Sequence, residues 1–156
     1  VELSGIGHVT DRMMLNGRQG RLHELQATKH AVTQACTEAG IGIGDLDFAE
    51  VHDCFTVNEL LCAEAIGLSL PGRAGFDVME GKFDPDSDCP INLSGGLKSK
   101  GHPVGATGAS MHALAYKQLT GAPIGVAAKG TPETAMTVNI GGSGVTNCVS
   151  VLRRIQ

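Results

Sequence analysis

The feature of this 156-residue chain that most constrains its fold is the alternation of strand-like and helix-like segments. In the first predicted helix apolar residues recur at helical spacing, and a glycine follows each predicted helix within two residues. Two strand-like runs joined by Gly-Gly-Ser-Gly end the chain, a sequence typical of a hairpin turn. We therefore predict an α/β domain with a mixed sheet, helices packed on its faces and a terminal β-hairpin. The predicted strands are 1–9, 48–51, 136–140 and 145–152, with a short extended segment at 91–93, and the predicted helices are 22–39, 56–66 and 109–119.

Other stretches lack such a pattern. Residues 68–90 contain three prolines and several aspartates and are predicted to be irregular, while 94–108 contain five glycines and are predicted to be a loop. Residues 13–20 are also loop-like. Since no internal repeat, linker or low-complexity tract divides the chain, we expect residues 1–156 to form one domain.

Composition excludes several functional classes. The net charge is −4, with no tryptophan and one tyrosine, whereas nucleic-acid binding needs a basic groove and often stacking aromatic side chains. No apolar run reaches the ~20 residues of a membrane span, and no signal peptide is recognisable. Five widely spaced cysteines without a CxxC pair favour a reduced compartment, the cytoplasm or, in a eukaryote, the peroxisome. Because the chain does not begin with Met, we expect a piece of a longer protein.

The clearest candidate for chemistry is the glycine-rich loop around His102. Its residues 101–108 read Gly-His-Pro-Val-Gly-Ala-Thr-Gly. Gly101 permits unusual backbone angles and Pro103 fixes one, so the imidazole is presented from a rigid turn before a predicted helix. Such an imidazole can accept a thiol proton or donate to an oxyanion. The alternative is a loop histidine that only caps the next helix.

A second candidate is the segment 50–59, Glu-Val-His-Asp-Cys-Phe-Thr-Val-Asn-Glu, which ends a short strand and opens a helix. Ligands of α/β sheets gather at the carboxyl ends of strands, and a cysteine beside a histidine at a helix N-terminus is favoured as a thiolate. His52 and Cys54 are therefore candidate catalytic residues. The alternative is that Asp53 or Thr56 caps the helix. We expect no metal, because His52 and Cys54 lack two further ligands at suitable spacing.

The third candidate is the glycine turn at 138–144, Val-Asn-Ile-Gly-Gly-Ser-Gly. Backbone amides in such a turn can form an oxyanion site. It is not a phosphate-binding P-loop, because Lys-Ser/Thr and a following helix are missing. A purely structural hairpin is the alternative.

Together and in this order, the three segments resemble the thiolase superfamily over essentially the whole chain. The His-Asp-Cys-Phe segment is similar to that of thiolases of the sterol carrier protein X type and of their bacterial and archaeal relatives. The stretch 92–108, Asn-Leu-Ser-Gly-Gly-Leu-Lys-Ser-Lys-Gly-His-Pro-Val-Gly-Ala-Thr-Gly, is highly specific. Thiolases have two similar halves, and this chain resembles the C-terminal one. The N-terminal half, which carries the nucleophilic cysteine, would be absent from it.

The resemblance implies a role for each candidate residue. His102 would activate the nucleophile and help to form an oxyanion hole. His52 would stand where many thiolases have an Asn that holds a water in that hole. Cys54 would be the acid/base thiol, and the Gly141 amide would contribute to the other oxyanion hole. Acyl-CoA would be a substrate, so no cofactor is expected, and the complete enzyme would be a homo-oligomer.

One departure from the family pattern bears on these roles. Many thiolases carry the acid/base cysteine in a Cys-x-Gly motif near the C-terminus, where this chain has Asn139, Ile140 and Gly141. The loss of that cysteine supports Cys54 as its substitute. Val138 also stands where many relatives have His.

The implied activity is reversible Claisen condensation or thiolytic cleavage of 3-oxoacyl-CoA thioesters, within lipid and fatty-acid metabolism. One alternative is a thiolase-like aldolase that cleaves a carbon–carbon bond of a CoA ester without an acyl-cysteine. Relatives of that kind usually replace the cysteine and histidine set. A further alternative is a non-catalytic domain that binds acyl-CoA or partner proteins.

Overall fold

A computed structural model describes residues 1–18 and 23–155, and in that part of the chain four strands form one mixed sheet. β4 pairs antiparallel with both of its neighbours, β1 and β3, whereas β2 runs parallel to β3. The carboxyl ends of β2 and β3 therefore lie at the same edge of the sheet. The strands are β1 (Glu2–Thr10), β2 (Phe48–Val51), β3 (Thr134–Gly141) and β4 (Thr146–Arg153), in the spatial order β1-β4-β3-β2.

Helices cover both faces of the sheet. The helices are α1 (Gln26–Ala39), α2 (Thr56–Ile66), α3 (Ala74–Met79), α4 (Gly96–Lys100) and α5 (Thr107–Leu119). α1 and α2 each end at a glycine with left-handed φ, Gly40 at 67° and Gly67 at 97°. No helix among the described residues is long and apolar enough to cross a membrane.

Alternating strand side chains build one core on each face of the sheet. Val51 of β2 and Val138 of β3 belong to the core that also contains α1 and α2 side chains. Phe48 and Ala135, on the opposite face of the same two strands, pack with Ala115 of α5. β2 is buried on both faces, so its one charged residue, Glu50, needs internal partners.

α1 lies so close to β1 that glycine is required where they cross. A Cβ added at Gly7 would lie 1.8 Å from the carbonyl oxygen of Ala31. Since backbone cannot swing aside as a side chain can, Gly7→Ala should lower the free energy of unfolding by about 3 kcal/mol. Urea unfolding measures the loss. Gly44→Ala is the matched control, because a Cβ there meets nothing within 4 Å; equal stability of both variants would contradict the close approach.

The predicted α/β class, mixed sheet and terminal hairpin are confirmed. The helix predicted at 56–66 has those bounds in the structure, and the strands differ from prediction by one or two residues at their ends. The first helix was predicted to begin at Leu22, which lies outside the described residues, but α1 begins at Gln26. α5 begins at Thr107, two residues before its predicted start.

Two short helices lie where irregular chain and a loop were predicted. α3 falls within 68–90, where the buried Asp77 carboxylate accepts from Ser69 Oγ at 2.5 Å and pairs with Arg73 and Lys82. α4 falls within 94–108, where the Leu97 amide donates to Asp53 Oδ1 at 2.7 Å. Both helices depend on partners from other turns or elements, which local sequence patterns do not reveal.

Candidate active site

All four sequence-predicted site residues line one cleft. The cleft has a volume of about 750 Å³ and lies at the carboxyl ends of β2 and β3. β2 leads into His52 and Cys54, the α4–α5 loop supplies His102, and β3 ends at Gly141. The three segments, far apart in the sequence, are therefore neighbours in space.

His52 is buried and fixed by two asparagines. Its Nδ1 lies 2.9 Å from Asn139 Oδ1, and its backbone carbonyl accepts from Asn58 Nδ2. Because a carbonyl oxygen can only accept, Nδ1 carries the proton and Nε2 of the neutral ring is left as an acceptor. Burial lowers the pKa of His52, while the bond to Asn139 acts in the opposite direction. His52 is therefore best suited to hold a polar group as a neutral imidazole.

Lowering the pH should destabilise the fold, because the buried His52 resists protonation. Below about pH 6.5 the unfolded chain takes up a proton that the folded chain, with its lowered pKa, resists. The free energy of unfolding should therefore fall as the pH drops from about 7.5 to about 5.5. His52→Asn should remove that part of the pH dependence, whereas His30→Asn, at an exposed position of α1, should not. Urea unfolding at both pH values tests this, and an unchanged pH slope in His52→Asn would contradict it.

His102 is exposed to the cleft and held through one ring nitrogen. Its Nδ1 lies 2.6 Å from Thr107 Oγ1, and the Thr107 hydroxyl donates to the Pro103 carbonyl at 3.3 Å. Since that hydroxyl has a single proton, its oxygen accepts the Nδ1–H of His102. Nε2 is then the free, basic nitrogen of the neutral ring. The ring meets that of His52 edge-on, with centroids 4.8 Å apart and an interplanar angle of 85°.

Cys54 is an exposed thiol between β2 and α2. The predicted alternative, a cap of α2 by Asp53 or Thr56, is wrong: Phe55 is the N-cap residue and makes no side-chain cap bond. Asp53 instead accepts from the Leu97 amide of α4. A Cβ at Gly96 would lie 2.2 Å from Asp53 Oδ2, so only glycine fits beside this carboxylate. Asp53 thus ties the loop that carries His102 to the loop that carries Cys54.

An ion pair between Glu50 and Lys100 also holds the loop that carries His102. The Glu50 carboxylate is 1% exposed and accepts from the Ser94 amide at 3.0 Å and the Ser94 hydroxyl at 2.5 Å. Lys100 Nζ lies 3.5 Å from the same carboxylate. The charge of Glu50 is therefore satisfied, and the chain leading to His102 is anchored to β2.

Gly141 ends β3 and begins a turn in which three successive residues have left-handed φ: Gly142 at 60°, Ser143 at 56° and Gly144 at 84°. Ser143 is the one residue of the three that is not glycine, and a residue with a side chain is strained at this φ.

Among residues 1–18 and 23–155, no three His, Cys, Asp or Glu side chains form a group that could hold a metal ion.

Residues 7–154 of the chain match the family model described as thiolase C-terminal domain-like. The chain belongs to this family. The resemblance to thiolases found in the sequence is thereby confirmed.

Similar proteins support this thiolase membership. An acetyl-CoA acetyltransferase of Methanothermobacter thermautotrophicus is 41% identical over 130 residues, covering 83% of this chain and 34% of the relative. Sterol carrier protein 2 of Rattus norvegicus is 45% identical over 94 residues, covering 60% of this chain and 17% of the relative. A solved structure, the Ltp2-ChsH2(DUF35) aldolase, superposes with a TM-score of 0.82 at 19% identity, over 97% of this chain and 38% of that one. The chain thus spans about a third or less of these curated relatives.

Sequence reasoning missed the residues that orient the two histidines of this thiolase domain. Asn139 was noted only as the replacement of a family cysteine, yet its side chain bonds His52. Thr107 was part of the recognised loop, but nothing in the sequence assigned its hydroxyl to His102. Asn139 is a polar residue in the predicted strand that leads into the candidate glycine turn, and this was the sequence signal that could have identified it.

Proposed function

We propose that this chain is the C-terminal half of a thiolase that condenses or cleaves 3-oxoacyl-CoA thioesters. The observation that carries the proposal is the convergence of His52, Cys54 and His102 on one cleft. Two histidines and a thiol supply the acceptor and donor groups that acyl transfer and α-proton removal need. A place in lipid metabolism and a cytoplasmic location accompany this proposal.

In the proposed acylation step, Nε2 of His102 accepts the proton of a nucleophilic cysteine thiol on the other half. The thiolate attacks the thioester carbonyl, and the negative oxygen is held by donors of the cleft. The carbon–sulfur bond to CoA then breaks, and the leaving thiolate takes a proton from solvent, while Nε2 of His102 keeps the thiol proton. The free Nε2 of His102, set by Thr107, supports this role.

In the proposed condensation step, Cys54 as a thiolate removes a proton from the α-carbon of a second acyl-CoA. The resulting carbanion attacks the acyl-enzyme carbonyl and displaces the nucleophilic cysteine. Exposure of Cys54 to the cleft supports this role, because the base must reach a substrate carbon. His102 would donate to the thioester oxygen as the enolate forms, and the Gly141 amide would contribute to the other oxyanion hole, at the acyl-enzyme carbonyl.

The proposed partner is the nucleophile-bearing N-terminal half, and one face of the sheet fits it. On the side covered by α5, the β1 residues Leu3 and Ile6 stay 51% and 49% exposed. Their partners on β4 are Leu152 and Ser150, which places both on that face. The chain covers 34% of an acetyltransferase relative, so that relative has further chain that could bury a surface of this kind.

The isolated chain should therefore show no thiolase turnover, and adding the cognate N-terminal half should restore it. The measurement is thiolysis of acetoacetyl-CoA by each half alone and by the mixture. Robust cleavage by this chain alone would contradict the proposal. An aldolase of the same fold would split its carbon–carbon bond without forming an acyl-cysteine, so trapping an acyl-enzyme separates the two activities.

A further inference from the structure

One charged side chain of the cleft takes no part in the roles proposed above. Arg18 lines the cleft together with His52, Cys54 and His102, beside the turn that follows Gly141. It directly follows a short 3-10 turn, Leu15–Gly17, in the segment after β1.

The guanidinium of Arg18 is held in a fixed orientation. Its Nη1 donates to the carbonyl of Ser143 at 2.8 Å, and its Nε donates to the carbonyl of Arg12 at 3.0 Å. Both partners are neutral backbone groups, so neither neutralises the charge. A guanidinium has five N–H donors, and three remain for a ligand. Because the orientation is already set, binding through them loses little side-chain entropy.

The positive charge of Arg18 is unpaired among the described residues. The ion pairs found there involve Arg73, Lys82 and Lys100, and none involves Arg18. Among the residues that the structure describes, no Asp, Glu or Lys lines the cleft, and most of the other large side chains there are apolar. A fixed cation between apolar walls attracts an anion more strongly than a cation surrounded by water. The apolar lining residues are Leu15, Leu25, Phe55, Leu61, Val104 and Ile140.

We propose that Arg18 binds an anionic oxygen of the thioester substrate. Two parts of such a substrate carry this chemistry: a carboxylate on the acyl chain and a phosphate of the CoA moiety. The inference rests on the proposed function, because that function brings a CoA thioester into this cleft. Carboxylate and phosphate oxygens both suit the planar N–H pairs of a guanidinium.

Single-turnover acylation of the complete thiolase tests this site with three 3-oxoacyl thioesters. Acylation by these thioesters is the reverse of condensation: the nucleophilic cysteine attacks the 3-oxo carbonyl, the carbon–carbon bond breaks, and the thiol of Cys54 gives a proton to the α-carbon. Acetoacetyl-CoA carries the phosphates, acetoacetyl-pantetheine lacks them, and 3-oxoadipyl-CoA adds a carboxylate to the acyl chain. Arg18→Gln keeps N–H donors but loses the charge, and Arg18→Lys keeps the charge. Arg12→Gln is the matched control, because Arg12 is exposed nearby and its side chain does not line the cleft.

A phosphate role predicts that Arg18→Gln weakens apparent binding of acetoacetyl-CoA by about 10- to 100-fold and leaves acetoacetyl-pantetheine unchanged. A carboxylate role predicts the same factor for 3-oxoadipyl-CoA and no change for acetoacetyl-CoA. Arg18→Lys should retain most of the binding in either case. Equal losses on all three thioesters, or no loss beyond that of Arg12→Gln, would overturn the assignment. Absence of acylation in the wild-type enzyme would instead overturn the proposed function, and this inference with it.

Discussion

Replacing His102 with alanine should slow both half-reactions of the complete thiolase by at least about 10²-fold. The same imidazole is proposed to take the thiol proton and to donate to the thioester oxygen, so acylation and condensation both depend on it. Thr107 occupies Nδ1, which leaves Nε2 as the reactive nitrogen. Mass spectrometry of acyl-enzyme formation, with turnover measured alongside, gives both rates. Folding should survive, because His102 lies in an exposed loop.

His112 is the control for this experiment. It lies within α5, and its Nδ1 is 2.7 Å from the carbonyl of Gly108. His112→Ala should therefore leave the acylation rate close to that of the wild type. Normal acylation by His102→Ala together with a loss in His112→Ala would mean that the catalytic imidazole is the other one.

Cys54→Ala should abolish condensation, by about 10²- to 10⁴-fold, while acylation of the nucleophilic cysteine stays largely intact. The split is expected because the α-proton is removed only after the acyl-enzyme has formed. Single-turnover acylation with a thioester and steady-state condensation of acetyl-CoA measure the two steps separately. A role in packing is not expected to produce this split, since the Cys54 side chain is exposed.

Cys62 is the matched control for Cys54. It lies in α2, fully buried, and burial raises the pKa of its thiol well above the ordinary value. A neutral, enclosed thiol has no route to substrate, so Cys62→Ala should cost about 1 kcal/mol of stability and little activity. Equal losses of condensation in both variants would point to packing rather than acid/base chemistry at Cys54.

Much of the fold follows from local sequence patterns. Glycine ends α1 and α2 at the predicted residues, because only glycine takes the left-handed angle of a helix C-terminus without strain. The terminal hairpin follows from its glycine turn and the apolar runs on either side. The three motifs could be recognised because each concentrates reactive or conformationally special residues in a few positions. The parallel pairing of β2 with β3 brings two of the motifs together, and the bonds of Asp53 and Glu50 to the 94–97 segment hold the His102 loop beside them.

The contacts that complete the candidate site are long-range and could not be read from local patterns. Asn139 and His52 are 87 positions apart, and their bond depends on the register of two parallel strands. Asp53 precedes a helix and so suggested a cap for α2, yet its carboxylate serves the amide of Leu97. Arg18 stands in a loop-like segment, and only the folded chain shows that it reaches the turn at Ser143. In each case tertiary contact decides between roles that the local sequence leaves open.

Locating the acyl group in the complete enzyme shows directly whether the nucleophile lies on this chain. The enzyme is incubated with acetyl-CoA, quenched with acid, digested and mapped by tandem mass spectrometry. The acetyl group should be found on a cysteine outside these 156 residues, with Cys54 unmodified, because this chain is proposed to supply the base and the oxyanion donors but not the nucleophile. An acetyl group on Cys54 would contradict the account, since Cys54 would then be the nucleophile itself.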